Sequence, residues 1–96
     1  MTYAELRKAL ETFGLPDRVT LREIKQRHRE LVKRYHPDAA ETADPERIRL
    51  VTAASRILFD YVENYQFSFA EEEFYEQNPD ERLRMQFEET PLWGAR

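Results

Sequence analysis

Apolar residues recur at helical spacing along the first two thirds of the chain, and turn-forming residues interrupt them at a few places. Tyr3, Leu6, Leu10 and Phe13 share one face of a first helix, and Gly14 just beyond them suits a left-handed C-terminal cap. After the loop Leu15-Pro16-Asp17-Arg18, Thr20 and Glu23 have the spacing of a capping box, and Val19 with Ile24 can add a hydrophobic staple. The second helix opened there carries Leu21, Ile24, His28, Leu31 and Tyr35 at alternating steps of three and four, the seam by which one helix packs along another. Pro37 stops it, because proline disfavours helical geometry in the residue before it and has no amide to donate. His36 is thereby pushed out of the helix, and the backbone turns.

Residues 39–43 are small and polar and read as a loop, after which Asp44-Pro45-Glu46 opens a third helix with an aspartate cap and a proline at the first helical position. Its buried face is Ile48, Val51, Ala54, Ser55, Leu58 and Val62, and the small side chains of Ala53, Ala54 and Ser55 permit close approach of the second helix. Nothing in Tyr61-Val62-Glu63-Asn64-Tyr65 breaks the pattern, so the third helix should run past Asp60. The second and third helices form an antiparallel hairpin whose tip begins with His36-Pro37-Asp38, displayed rather than buried.

Composition narrows the class. The chain has 96 residues, of which 41% are apolar, with two glycines and five prolines, enough for one small all-α domain and too few turn formers for a β fold. It has no cysteine, which excludes disulfides and thiolate metal sites. His28 and His36 are eight residues apart without a third ligand, so no metal is expected. No Gly-rich phosphate loop or nucleophile-base pattern is present, so neither a cofactor nor catalysis is expected. The first residues lack a basic region followed by an apolar stretch, and no apolar run approaches membrane-spanning length, so the chain is expected to be cytoplasmic.

Charge adds a site. The chain carries a net −4, yet Thr20 to Tyr35 holds six Lys or Arg (Arg22, Lys25, Arg27, Arg29, Lys33, Arg34) against Glu23 and Glu30. At about 100° per residue, Arg22, Lys25, Arg29 and Lys33 fall within roughly a quarter turn, a cationic stripe beside the apolar seam. Such a stripe steers an acidic partner surface toward it.

These residues resemble the J-domain of the DnaJ family, the co-chaperones of DnaK-type (heat-shock protein 70) ATPases. The likeness covers Thr2 to Asp60: a tyrosine in the first turn, Glu23-Ile24-Lys25 through Leu31, Tyr35-His36-Pro37-Asp38, and Ile48, Val51, Ala54 and Leu58. It implies a helical bundle over residues 1–66. In it, His36, Pro37 and Asp38, with the basic face of the second helix (Arg22, Lys25, Arg29, Lys33 and Arg34), dock on the chaperone and stimulate its ATP hydrolysis. The domain performs no chemistry itself. Departures are Ala39 and Glu30 at positions that are often basic in the family, Ser55 where an aromatic is usual, and no short basic fourth helix after Asp60.

Residues 67–96 differ in character, with eight acidic against three basic side chains and with Phe67, Phe69, Phe74, Tyr75, Leu83, Phe87, Leu92 and Trp93. The expectation is one or two short helices, the second starting near Asn78-Pro79-Asp80, laid against the core with Trp93 as an anchor. Two alternatives to burial are a client-docking surface and an acidic cover over the cationic stripe. Two other functions compete with co-chaperone action: an adaptor that kept the fold without stimulating the ATPase, and a helix-turn-helix nucleic-acid binder. The second is disfavoured because acidic residues balance the third helix's arginines and the sequence pI is near 5.2.

Overall fold

Three capping arrangements set where the first helices begin. The structure, a computed structural model that describes residues 1–89, has α1 at Tyr3–Phe13, α2 at Leu21–Tyr35, a 3₁₀ segment at Pro37–Thr42, α3 at Pro45–Glu63, α4 at Glu71–Gln77 and α5 at Pro79–Glu89. Thr20 caps α2 as expected: its hydroxyl accepts from the Glu23 amide at 3.1 Å while Glu23 accepts from the Thr20 amide at 2.8 Å. That backbone donor holds the Glu23 carboxyl below the usual range. Thr2 and Glu5 make the same capping box at the start of α1, and Asp44 accepts from the Arg47 amide at 3.1 Å to open α3. Gly14 closes α1 at φ 67°.

The chain separates into two compact units, Met1–Tyr65 and residues 66–96. The first is an all-α bundle in which α3 packs against both α1 and α2, and α2 and α3 form the expected hairpin. Its core is Ala9 and Phe13 from α1, Ile24 from α2, and Val51, Ala54 and Leu58 from α3. Ser55, also buried, directs its hydroxyl to the Thr52 carbonyl oxygen at 2.7 Å, so a polar side chain sits at the seam with its donor satisfied. The third helix does continue past Asp60, to Glu63.

Several expectations are corrected. Tyr3 is exposed and Ala9 takes its place in the core, because the face centred on Phe13 and Leu6 runs nearer to Ala9 than to the first helical residue. Leu21, in the first turn of α2, is exposed beside the seam, and Ala53 faces solvent, leaving Ala54 and Ser55 as the small residues of the interface. Residues 39–43 are largely helical rather than a loop: the Ala39 amide donates to the His36 carbonyl oxygen at 2.8 Å and the Ala43 amide to that of Ala40 at 3.3 Å.

Ala40 breaks this segment with φ 55° and ψ −108°, a region an L-residue enters at a cost of about 1–3 kcal/mol. Glycine would remove that cost and give back about 0.4–1 kcal/mol through the freer unfolded chain. Ala40→Gly is therefore expected to raise stability by about 1 kcal/mol, read as a higher denaturant midpoint at unchanged slope; an unchanged or lower midpoint would show that the kink carries no strain.

In the second unit α4 and α5 meet at Asn78, whose side-chain amide donates to the Phe74 carbonyl oxygen at 2.8 Å and whose own carbonyl accepts from Glu81 at 3.0 Å. Two short helices form as expected, and of the aromatic side chains expected to pack, Tyr75 is half-buried. Phe67, Phe69, Phe74, Leu83 and Phe87 keep about half or more of their surface exposed. Leu92 and Trp93 lie outside the described residues.

Candidate functional site

The last turn of α2 ends on His36, whose amide donates to the Val32 carbonyl oxygen at 2.9 Å while its own backbone is already extended, at φ −61° and ψ 147°. Pro37 then begins the 3₁₀ segment, as a residue with no amide to satisfy can. His36 Nδ1 accepts from the Asp38 amide at 3.1 Å, so in the neutral ring the proton is on Nε2. The same Nδ1 lies 3.6 Å from an Asp38 carboxylate oxygen, but one nitrogen cannot accept the amide and donate to the carboxylate together. The shorter, amide contact is the hydrogen bond. It leaves the Asp38 side chain, 93% exposed, directed to solvent. At the base of the loop the Asp44 amide donates to the Tyr35 carbonyl oxygen at 3.1 Å, tying the start of α3 to the end of α2.

A shallow, mainly apolar groove runs beside this loop, lined by His28, Arg29, Val32, Lys33, His36, Asp38 and Ala39. Val32 and Ala39 give it apolar surface, Arg29 and Lys33 supply positive charge, and Asp38 supplies negative charge. The ring of His28 stacks on Phe13 at 6.0 Å and meets Phe59 edge-on at 5.6 Å, which fixes it as a seam residue. Of the residues expected to contact a partner, the groove thus unites His36, Asp38, Arg29 and Lys33. Arg22 and Lys25 are exposed further along the same helix face, Lys25 about 12 Å from Lys33 at 1.5 Å per residue.

Arg34 stands apart. It lies about 100° round the helix from Lys33, with its guanidinium 6.0 Å from the Tyr35 ring centre, where Arg47 of α3 also comes to 5.7 Å. Hydrogen bonding from Arg47, and then from Arg34, holds the Tyr35 phenol below the usual tyrosine range. Arg27 is engaged within the bundle. It is half-buried and donates from Nη1 to the Phe13 carbonyl oxygen at 2.7 Å, satisfying the end of α1, while its Nε lies 3.3 Å from Glu30. Glu30 is thereby engaged by Arg27, so it subtracts less from the cationic face than its place in the sequence suggests.

Sequence reasoning missed Val32 and Ala39 as groove residues. Val32 was legible: on a helical wheel it falls between His28 of the seam and Lys25 and Lys33 of the stripe, where the two faces meet. Ala39 carries no such signal.

Residues 8–67 match the model of the DnaJ domain. The chain belongs to that family, which is one of co-chaperones of DnaK-type ATPases rather than of enzymes. It is similar to a Sinorhizobium sp protein described as an uncharacterized 19.0 kDa protein in the cobS 5′ region, at 42% identity over 53 residues, or 53% of this chain and 31% of the relative. The chain therefore spans about a third of the length of the curated relative it matches. No solved structure matches it.

Proposed function

We propose that this protein docks on a DnaK-type chaperone through His36-Pro37-Asp38, the adjoining groove and the cationic face of α2, and thereby stimulates ATP hydrolysis by the chaperone. The observation that carries this reading is the Asp38 carboxylate, exposed and lining the same mainly apolar groove as Arg29 and Lys33. An acidic partner surface would meet the stripe first and orient the loop, and a partner guanidinium would then take the carboxylate in a charge-assisted bond. Arg22 and Lys25 extend the steering face along α2, and Arg34, with Arg47, offers a second positive patch beside Tyr35. The acidic, aromatic extension over residues 67–96 is the second proposed contact, with a client protein. No helix among the described residues is long and apolar enough to cross a membrane.

Single-turnover ATP hydrolysis by a DnaK-type chaperone tests this, taken as the ratio of stimulated to basal rate. Raising ionic strength from about 0.1 M to about 1 M shortens the screening length from about 10 Å to about 3 Å, so stimulation at a fixed, subsaturating concentration should fall several-fold. Lys25→Ala/Arg29→Ala should lower stimulation by about tenfold at low salt and flatten the salt dependence, Arg22 and Lys33 keeping the remainder. A folded wild type that gives no stimulation would replace this reading with that of an adaptor which kept the fold alone.

A further inference from the structure

In the second unit large apolar side chains stand in water among outward-facing carboxylates. In α5, Met85 and Glu81 are half-buried, whereas Leu83, on the other side of the helix, is 61% exposed. In α4, Glu73 is half-buried while Phe74 is 49% exposed, and Phe69 just before the helix is 95% exposed. Tyr75 is half-buried as well, but Phe69, Phe74 and Leu83 keep large apolar surfaces in water, and exposed apolar surface rimmed by polar groups marks an interaction site. Beside these groups lies an open groove lined by Ser68, Ala70, Glu72, Glu73, Glu76 and Arg82. Three carboxylates face one guanidinium there, and the other arginine of the unit's described residues, Arg84, lies 3.4 Å from Glu81.

We propose that residues 66–89 are a docking surface for a basic amphipathic segment of a client protein, its Lys and Arg side chains entering the groove at Glu72, Glu73 and Glu76 and its apolar side chains covering Phe69, Phe74 and Leu83. Charge decides among occupants. Residues 67–89 hold eight acidic side chains against two arginines, so nucleic acid, an anionic membrane or an acidic peptide is repelled. A purely cationic chain would satisfy the carboxylates and leave the aromatic groups wet, whereas a segment with both characters matches both features. The inference rests on the assignment of client contact to this unit and is independent of chaperone docking.

Fluorescence anisotropy of the full chain with three labelled helical peptides tests it: one of Lys and Leu at amphipathic spacing, one with Ser in place of Leu, and one with Glu in place of Lys. The Lys/Leu peptide should bind at least about tenfold more tightly than either control. Phe69→Ser/Phe74→Ser/Leu83→Ser should remove that advantage at unchanged helix content, since all three side chains are exposed. Glu72→Gln/Glu73→Gln/Glu76→Gln should weaken binding and flatten its salt dependence, and Asp38→Asn should leave it unaltered. Equal binding of the Lys/Ser peptide would reduce the contact to charge alone and overturn the proposal, as would unchanged binding by the triple serine variant. Concentration-dependent self-association in sedimentation, abolished by the serine variant, would replace the client with a second copy of this chain. Because no chaperone is present, failure here leaves the ATPase measurement standing, and failure of that measurement leaves peptide binding standing.

Discussion

Asp38→Asn is expected to reduce chaperone stimulation to the basal rate while leaving thermal unfolding unchanged. Asparagine keeps the shape of the side chain and the backbone amide that His36 Nδ1 accepts, so the loop retains its local bond. What it removes is charge. The carboxylate is almost fully exposed, so the folded protein gains little from it and loses little without it. In a docked complex the same group would be desolvated against a cation, and removing one member of such a pair costs about 2–5 kcal/mol, a factor of roughly 30 to several thousand in affinity. Titration of stimulation against co-chaperone concentration separates the outcomes: a curve merely shifted to higher concentration by a few-fold would mean that Asp38 lies outside the contact, whereas its loss over the accessible range assigns the contact to that carboxylate.

Phe13→Ala should act in the opposite way, removing the fold first. Phe13 is 1% exposed, one of the two largest fully buried side chains, and it is also the stacking partner of His28. Truncating a buried phenylalanine costs about 3–5 kcal/mol through lost burial and the remaining cavity. A unit of 65 residues has a stability of only about 3–10 kcal/mol, so most of it is spent by this one change. The melting temperature followed by circular dichroism should fall by at least about 15 °C. Stimulation should fall with the folded fraction, and His28, released on one side, should no longer shape the groove at temperatures where the variant is still folded. A shift of only a few degrees would mean that α1, α2 and α3 collapse around the gap, which close packing of the buried core disfavours.

The parts of the fold that were legible in the sequence are those written in short-range chemistry. Thr20 with Glu23, Gly14, Pro37 and Asp44-Pro45 each act within four residues, and each fixes a helix end where expected; Thr2 with Glu5 has the same spacing and could have been read the same way. The positions that were misjudged depend on what lies across from them. Tyr3 and Leu21 fit the periodicity of their helices but stand in first turns and are exposed. Arg27 reaches back fourteen residues to Phe13, and no local pattern announces that. At the site, the tripeptide and the arc of Arg22, Lys25, Arg29 and Lys33 were readable from spacing alone, whereas the groove required α2 and the 3₁₀ segment to be placed together. In the second unit, composition registered the aromatic groups but not that Phe69 and Leu83 face water, because apolar content does not say whether a partner surface lies within the chain.

The bond from the Asp44 amide to the Tyr35 carbonyl oxygen gives the loop a mechanical character. It clamps the neck of an eight-residue span, so the tripeptide hangs from two helices at once rather than from the end of one. A tug on Asp38 is transmitted to α2 through Val32 and His36 and to α3 through Asp44, and each helix is seated on the same core. Held at both ends in this way, the tip is built as a fork rather than a tether, and a partner that pulled on it would work against both helices and the core they share.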